Sequence, residues 1–221
     1  MPDSAMQEMV YSISHDFGRP LRQIMAFTDL LTDKHAADLD EESAEWFAYL
    51  SRAGAEAQLM LERLLVYSRM QGHQSQPVEV DLMALAHECT ALIDARNIVH
   101  SGGVETNCDI EQDVCIDRDL LQSAVLELLD NAMSYGGPGP VKLSFACNNT
   151  QLCVTVTDTG TGIDADRMAT AQRPFGRLRP EEAGHVGLGL NIAQRAAEAL
   201  GGELSLQQSP GAFSATISAA I

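Results

Sequence analysis

At 221 residues the chain has room for one large domain or two small ones, and its 45% hydrophobic, 20% charged composition predicts packed cores. A net charge of −17 argues against a nucleic-acid partner, because phosphate backbones require clustered Lys and Arg. No apolar run approaches the length of a membrane span and no signal peptide opens the chain, which reads as cytoplasmic, whole or as the cytoplasmic part of something longer. The five cysteines (Cys89, Cys108, Cys115, Cys147, Cys153) form no C-x-x-C pair and read as reduced thiols, with Cys147 and Cys153 packed as small apolar residues in strands.

Residues 1–72 carry a helical rhythm. Met6, Val10, Ile13, Phe17, Leu21, Ile24, Thr28 and Leu31 recur at steps of three and four, and Trp46, Leu50, Ala53, Ala57, Met60, Leu64 and Tyr67 form a second series. Between them Asp40, followed by Glu41, Glu42 and Ser43, has the pattern of an N-cap with acids in the first turn. The spacing predicts two antiparallel helices of about 30 residues, or roughly 45 Å each. A lone hairpin cannot bury both stripes. Pairing with a second copy makes a four-helix bundle, so this region implies a homodimer.

A polar stretch ending in Pro77 reads as a linker over 73–80, and the rhythm then changes. Over 81–221 a helix is predicted from Asp81, strands at "VETNCDI" and "DVCI", and a strong helix capped by Asp117. A hairpin follows, made of "VKLSFAC" and "QLCVTVTD". A helix ending at Gly201-Gly202 and two closing strands complete it, with Phe213, Ala215 and Ile217 on one face. Helices mixed with hairpins predict an α+β sandwich rather than a parallel doubly wound sheet.

Three stretches of the second region carry chemistry. In "ELLDNAMSY", Glu127, Asn131 and Ser134 share one helix face, and carboxylate and amide oxygens suit a hard cation such as Mg²⁺. Alone, the stretch reads first as a solvated polar stripe. In "DTGTGI", Asp158 ends a strand and two glycines free the backbone for close approach to a ligand; an ordinary turn is the alternative. In "GHVGLGLNIAQ", glycines precede a helix whose first N–H groups can bind phosphate, although a lone glycine-rich loop is a weak signal.

Their order is more specific than any one of them. The series resembles the ATP-binding (Bergerat-type) domain of sensor histidine kinases, with "ELLDNAMSY" as the N box, "DTGTGI" and "HVGLGL" as glycine boxes, and "RPFGRL" as the F box. The resemblance implies Mg²⁺ at Glu127 and Asn131, and an adenine pocket lined by Tyr135 with Asp158 bonding the adenine amine. It also implies close approach of the base at Gly160 and Gly162, a lid over 174–186 including Arg177, and Gly187, Leu188 and Gly189 beneath the phosphates. Two positions depart from the family pattern. Ser134 stands where Lys or His is common, and His185 where Gly is common; Arg173, Arg177 and Arg179 are candidate replacements for lost positive charge.

In the first region, His15 alone would read as a surface residue. Its setting, "HDFGRPL", says more. Imidazole titrates at about 6.5, so its nucleophilic neutral form is populated at neutral pH. The neighbouring Asp16 can orient it or act as base. Gly18 and Pro20 predict a loosened or bent helix just after it. This stretch resembles the H box of the histidine-kinase dimerisation domain, and "PLRQI", "LDEES" and "LLVYSRM" resemble its phytochrome-like, PAS-linked branch.

The resemblance implies that His15 attacks the γ-phosphorus of ATP and then donates to an aspartate of a separate response regulator. A phosphotransfer scaffold with a degenerate nucleotide site is the rival reading; a gyrase-type energy-coupling ATPase lacks the H-box bundle. Many members of the family dephosphorylate their regulator with a Thr or Asn four residues after the histidine, where this chain has Arg19. A guanidinium has no acceptor for the attacking water. Regulator dephosphorylation is therefore expected to be weak, and a brisk rate that vanishes in Arg19→Ala would overturn this.

Overall fold

The computed structural model describes residues 2–35, 39–70, 73, 75–95, 100–148, 150–176 and 186–221, with the backbone alone for 2–15 and 165. The chain divides into two compact units. One holds the two long helices and the described part of 175–188; the other holds the sheet and its helices.

The first unit is a helical hairpin, α1 (Pro2–His35) and α2 (Glu41–Met70). Asp40 caps α2 as its sequence context predicts. Its Oδ1 accepts from Ser43 N at 2.8 Å, and hydrogen bonding to Ser43 holds its carboxyl below the usual range. Small residues lie in the described part of the seam between the helices. Gly54 is buried, and a Cβ there would lie 2.7 Å from Met25 Cγ. Thr28 is also buried, its hydroxyl satisfied by Ile24 O at 2.9 Å.

The large side chains point elsewhere. Phe17, Ile24, Phe27, Leu30 and Leu31 of α1, with Trp46, Tyr49 and Leu50 of α2, are 45–66% exposed. The stripe expected to run through both Ile24 and Thr28 is thus two faces, a narrow one inside the hairpin and a broad apolar one outside it. Pro20 does not interrupt α1, which continues from Pro2 to His35. One missing N–H is tolerated within so long a helix, and the loosening expected after His15 is not a break in the element.

In the second unit, five strands form one sheet in the order β2-β4-β5-β7-β6: β2 (Val104–Cys108), β4 (Val141–Cys147), β5 (Gln151–Asp158), β6 (Leu204–Ser209) and β7 (Ala212–Ala220). β2 pairs parallel to β4, and the other pairings are antiparallel. The helices α3 (Leu82–Asp94), α4 (Arg118–Tyr135) and α6 (Gly189–Ala199) pack against it. This is the α+β layering expected. Strand parity builds the core: Leu143 and Phe145, Leu152, Val154 and Val156, and Ala215 and Ile217 are buried. Alternate residues carry hydroxyls on the other face, where Thr155 pairs with Thr216 and Thr157 with Ser214, each at 2.9 Å.

α6 ends as predicted. Gly201, at φ +76°, turns the chain, and Gly202 N reaches back to Ala197 O at 2.9 Å. A short α5 (Ala165–Ala171) has no counterpart in the sequence reading. The buried cysteine is Cys89, whose thiol burial raises to about 11. Cys147 is exposed and Cys153 half-buried, so packing is not the role of Cys147. Cys147 sits at the end of β4 beside a turn, where strand parity no longer leads into the core.

The stretch read as a linker is not open throughout. β1 (Pro77–Val80) pairs antiparallel with β3 (Val114–Asp117). Proline is compatible with the first residue of a strand, and Val80 is buried. Asp117 caps α4, its Oδ1 accepting from Leu120 N at 3.1 Å, while Oδ2 accepts from Gln76 N and His73 Nε2, both at 2.7 Å. Burial alone would raise this carboxyl. The donors around it outweigh that and hold it below its ordinary value.

A folded pKa below the unfolded one contributes stability above the unfolded value, lost as pH falls through the folded value. Asp117→Ala is expected to cost about 1–2 kcal/mol in urea unfolding at pH 7. The difference from wild type is expected to shrink as pH drops below about 4.

Candidate active site

One helix organises the site. α4 buries Leu121, Val125, Leu128 and Leu129 and places Glu127 and Asn131 one turn apart, with Tyr135 a further turn on at its end. Glu127 is buried, Asn131 partly buried and Tyr135 partly exposed. α6 begins against this polar face. A Cβ at Gly189 would lie 3.0 Å from Asn131 Nδ2, 3.1 Å from Glu127 Oε2 and 3.2 Å from Asn131 Oδ1. Glycine therefore allows the helix start, with its outward N–H groups, to sit on Glu127 and Asn131. Two amide nitrogens here, Asn131 Nδ2 and Asn191 Nδ2, are buried with no hydrogen-bond partner among the described residues. Buried donors are normally paired, so each stands out. Asn191 escaped the sequence reading; its one signal is an amide within the apolar periodicity of α6.

The second group forms at the end of β5. Leu152, Val154 and Val156 face the core, and the same parity carries the Asp158 side chain to that buried side. Gly160 N donates to its Oδ1 at 2.7 Å. A Cβ at Gly136, the residue that ends α4, would fall 2.8 Å from Asp158 Cβ, and one at Gly160 would fall 2.7 Å from Oδ1. Burial raises the Asp158 carboxyl above its ordinary value, and the Gly160 N–H, together with the positive charge His100 carries when protonated, only partly offsets this. Gly162 adopts φ +70°, and a Cβ there would collide with the Gln208 amide. Gln208 Nε2 in turn donates to Thr161 O at 2.9 Å, so β6 grips the turn. Neither Gln208 nor His100 carries a motif, and the sequence reading passed over both.

The structure thus brings Glu127, Asn131 and Gly189 together, and Asp158 together with Gly160 and Gly136. Gly187, at φ +74°, lies in the other compact unit, where a Cβ would meet Gly176 O at 2.8 Å; Leu188 beside it is buried. Arg177, Arg179 and His185 lie outside the described residues, and Arg173 is exposed just after α5. His15 occupies a helical position of α1, its side chain outside the described set; Asp16 and Arg19 are exposed.

The unit is thus an α+β sandwich with a buried carboxylate at a strand end, a glycine turn after it and a glycine-started helix on an Asn-bearing neighbour, the arrangement that the sequence motifs predict for an ATP-binding domain. Comparison with known proteins agrees. Residues 116–219 match the model of the histidine kinase-, DNA gyrase B-, and HSP90-like ATPase family, and residues 5–73 match the His Kinase A (phospho-acceptor) domain. Sensor protein CutS of Streptomyces coelicolor is 32% identical over 94% of the chain and 51% of its own length. Sensor histidine kinase QseE of Escherichia coli O157:H7 is 28% identical over 95% and 45%. A phytochrome-type relative, bacteriophytochrome of Pseudomonas aeruginosa, is 24% identical over 92% and 28%.

Among solved structures, full-length ShkA in complex with AMPPNP superposes with a TM-score of 0.73 at 21% identity, covering 96% of this chain and 45% of that one; the likeness is one of fold. The chain belongs to the sensor histidine kinases, carrying a phosphoacceptor domain followed by an ATP-binding domain. It spans about half the length of the curated relatives CutS and QseE.

A carboxyl raised by burial disfavours the folded state once it ionises, so the uncharged isostere relieves that cost at neutral pH. Asp158→Asn is expected to leave the ligand-free melting temperature unchanged or higher while weakening ATP binding at least about tenfold by calorimetry. A drop in melting temperature with unchanged ATP affinity would overturn both assignments.

Proposed function

We propose that this chain is the kinase core of a sensor protein: it phosphorylates His15 from ATP and passes the phosphoryl group to an aspartate of a response regulator. The buried Asp158 set among Gly136 and Gly160 is the observation that carries the ATP half. A carboxylate held on a floor without side chains suits the exocyclic amine of a planar base, which needs an acceptor and close approach. Tyr135, at the end of α4, suits one wall of the same pocket. Gly187, Leu188 and Gly189 precede and open a helix whose N–H groups suit phosphate oxygens, and Arg177 is the cation proposed for the lid.

Glu127 and the amide of Asn131 fit a hard cation, offering oxygen donors at a buried polar point where Asn131 Nδ2 also has no partner among the described residues. A Mg²⁺ held there would neutralise phosphate charge. The chain's own groups do the rest. Asp16 accepts or directs the proton on one ring nitrogen of His15, leaving the other, Nε2, free to attack the γ-phosphorus in line. The N–P bond forms, the bond to the bridging β,γ-oxygen breaks, and ADP leaves with that oxygen's electron pair. The phosphohistidine then gives the group to a carboxylate of the regulator.

The exposed apolar face of the hairpin, from Phe17 and Ile24 to Trp46 and Leu50, supports a homodimeric four-helix bundle. The cytoplasm is the compartment in which ATP and a regulator are both available. Among the described residues no helix is long and apolar enough to cross a membrane.

Incubation with γ-labelled ATP and Mg²⁺ tests the proposal. Acid-labile, base-stable label on wild type and none on His15→Gln is the expected result. No label together with no nucleotide binding would favour the phosphotransfer scaffold instead. In sedimentation the wild type is expected to run as a dimer and Ile24→Glu to shift it toward monomer.

A further inference from the structure

We propose that His100 is a positioning residue of the nucleotide site, its ring tying down the glycine-proline loop on which Asp158 rests. The inference depends on the reading of Asp158 as the adenine acceptor.

The loop is "GGPGP", Gly136 to Pro140, between α4 and β4. It has no functional side chains with which to hold itself, and its prolines have no N–H to donate. Outside groups fix it from two sides. On one side is the end of β5: Gly139 N donates to Thr159 Oγ1 at 3.0 Å. A Cβ at Gly139 would fall 2.8 Å from the same oxygen, and Gly136 abuts Asp158 itself. On the other side is the segment leading into β2. His100 Nε2 lies 3.0 Å from Gly137 O, Ser101 Oγ donates to Pro138 O at 3.0 Å, and Val141 N donates to Gly103 O at 3.0 Å.

The ring does more than touch the loop. A carbonyl only accepts, so Nε2 must carry the proton. Gly102 N donates to Nδ1 at 3.3 Å, so that nitrogen must be bare. The neutral Nε2–H tautomer satisfies both bonds, and neither amide of the segment nor carbonyl of the loop can substitute for the other. His100 therefore spans from the backbone of its own segment to Gly137, which adjoins the residue packed on Asp158. Without that span, Gly136 keeps its bond to Ala132 O and its packing on Asp158, but Gly137 keeps only its packing on Thr159, so the floor beneath the base is held less firmly. Such a residue acts on ground-state binding of the base and not on phosphoryl transfer at the distant γ-phosphate.

The test is steady-state autophosphorylation of the full chain with ATP as the varied substrate, for wild type, His100→Ala, His100→Gln and Asp158→Asn. His100→Ala is expected to raise the ATP KM about 3- to 10-fold, as for a lost hydrogen-bonded tie, with kcat unchanged. Glutamine can donate to Gly137 O, so His100→Gln is expected to restore most of the KM. If the alanine variant does not fold by circular dichroism, His100→Asn, which keeps an acceptor for Gly102 N but cannot reach Gly137, takes its place with the same expected rise. An unchanged KM in the alanine or asparagine variant, a loss confined to kcat, or no recovery with glutamine overturns the inference. Asp158→Asn separates the two levels. A wild-type KM there removes the reading of the adenine site itself, whereas a large rise beside a wild-type-like His100→Ala removes only the role of His100.

Discussion

A single constraint governs the ATP-binding unit: a carboxylate is delivered to the buried side of a sheet, against a floor of glycines. Strand parity does the delivering. Asp158 follows Val154 and Val156 on the inward face of β5, so the same register that fills the core also aims the acid. A one-residue slip of β5 against β4 or β7 would send it to the opposite face, among the paired hydroxyls of Thr155 and Thr216. The pairing of β5 with strands on both sides is what fixes a chemical group here.

Around that acid the chain removes side chains. Gly136, Gly160 and Gly162 stand where a Cβ would strike the carboxylate, its neighbours or the Gln208 amide, and a Cβ at Gly189 would crowd Glu127 and Asn131. The removal has a cost, because glycine-rich segments lose more backbone freedom on folding. Hydrogen bonds from outside the segments offset it: Gln208 on Thr161, Thr159 on Gly139, His100 on Gly137. The raised Asp158 carboxyl and the buried amides of Asn131 and Asn191 show the same bias, polarity kept under-solvated in the folded state.

Much of this was legible in the sequence because the signals are local. Period-two runs marked β4, β5 and β7, Asp40 and Asp117 announced helix starts, and the glycine spacings marked both turns. What escaped was what depends on distant partners. β1 was read as linker because four residues opening with proline have no periodicity to show, and only β3 makes them a strand. His100 and Gln208 are ordinary letters in ordinary contexts, and their roles arise from residues 37 and 47 positions away. The two faces of α1 were merged because a three-four rhythm marks apolar positions without saying which partner each serves; Thr28 turns inward and Ile24, four residues earlier, outward.

That division of faces has a consequence for the hairpin as a physical object. Its internal seam includes Gly54, Thr28 and Met25, while Phe17, Ile24, Phe27, Leu30, Trp46, Tyr49 and Leu50 form an exposed apolar face. In the homodimer proposed above, the second copy would cover that outer face. Mass action would then set the order of the hairpin, which would rise with the amount of chain and fall on dilution. Subunits exchanging in the proposed dimer would mix, so a chain altered at His15 and a chain altered at Asp158 would come to share one assembly.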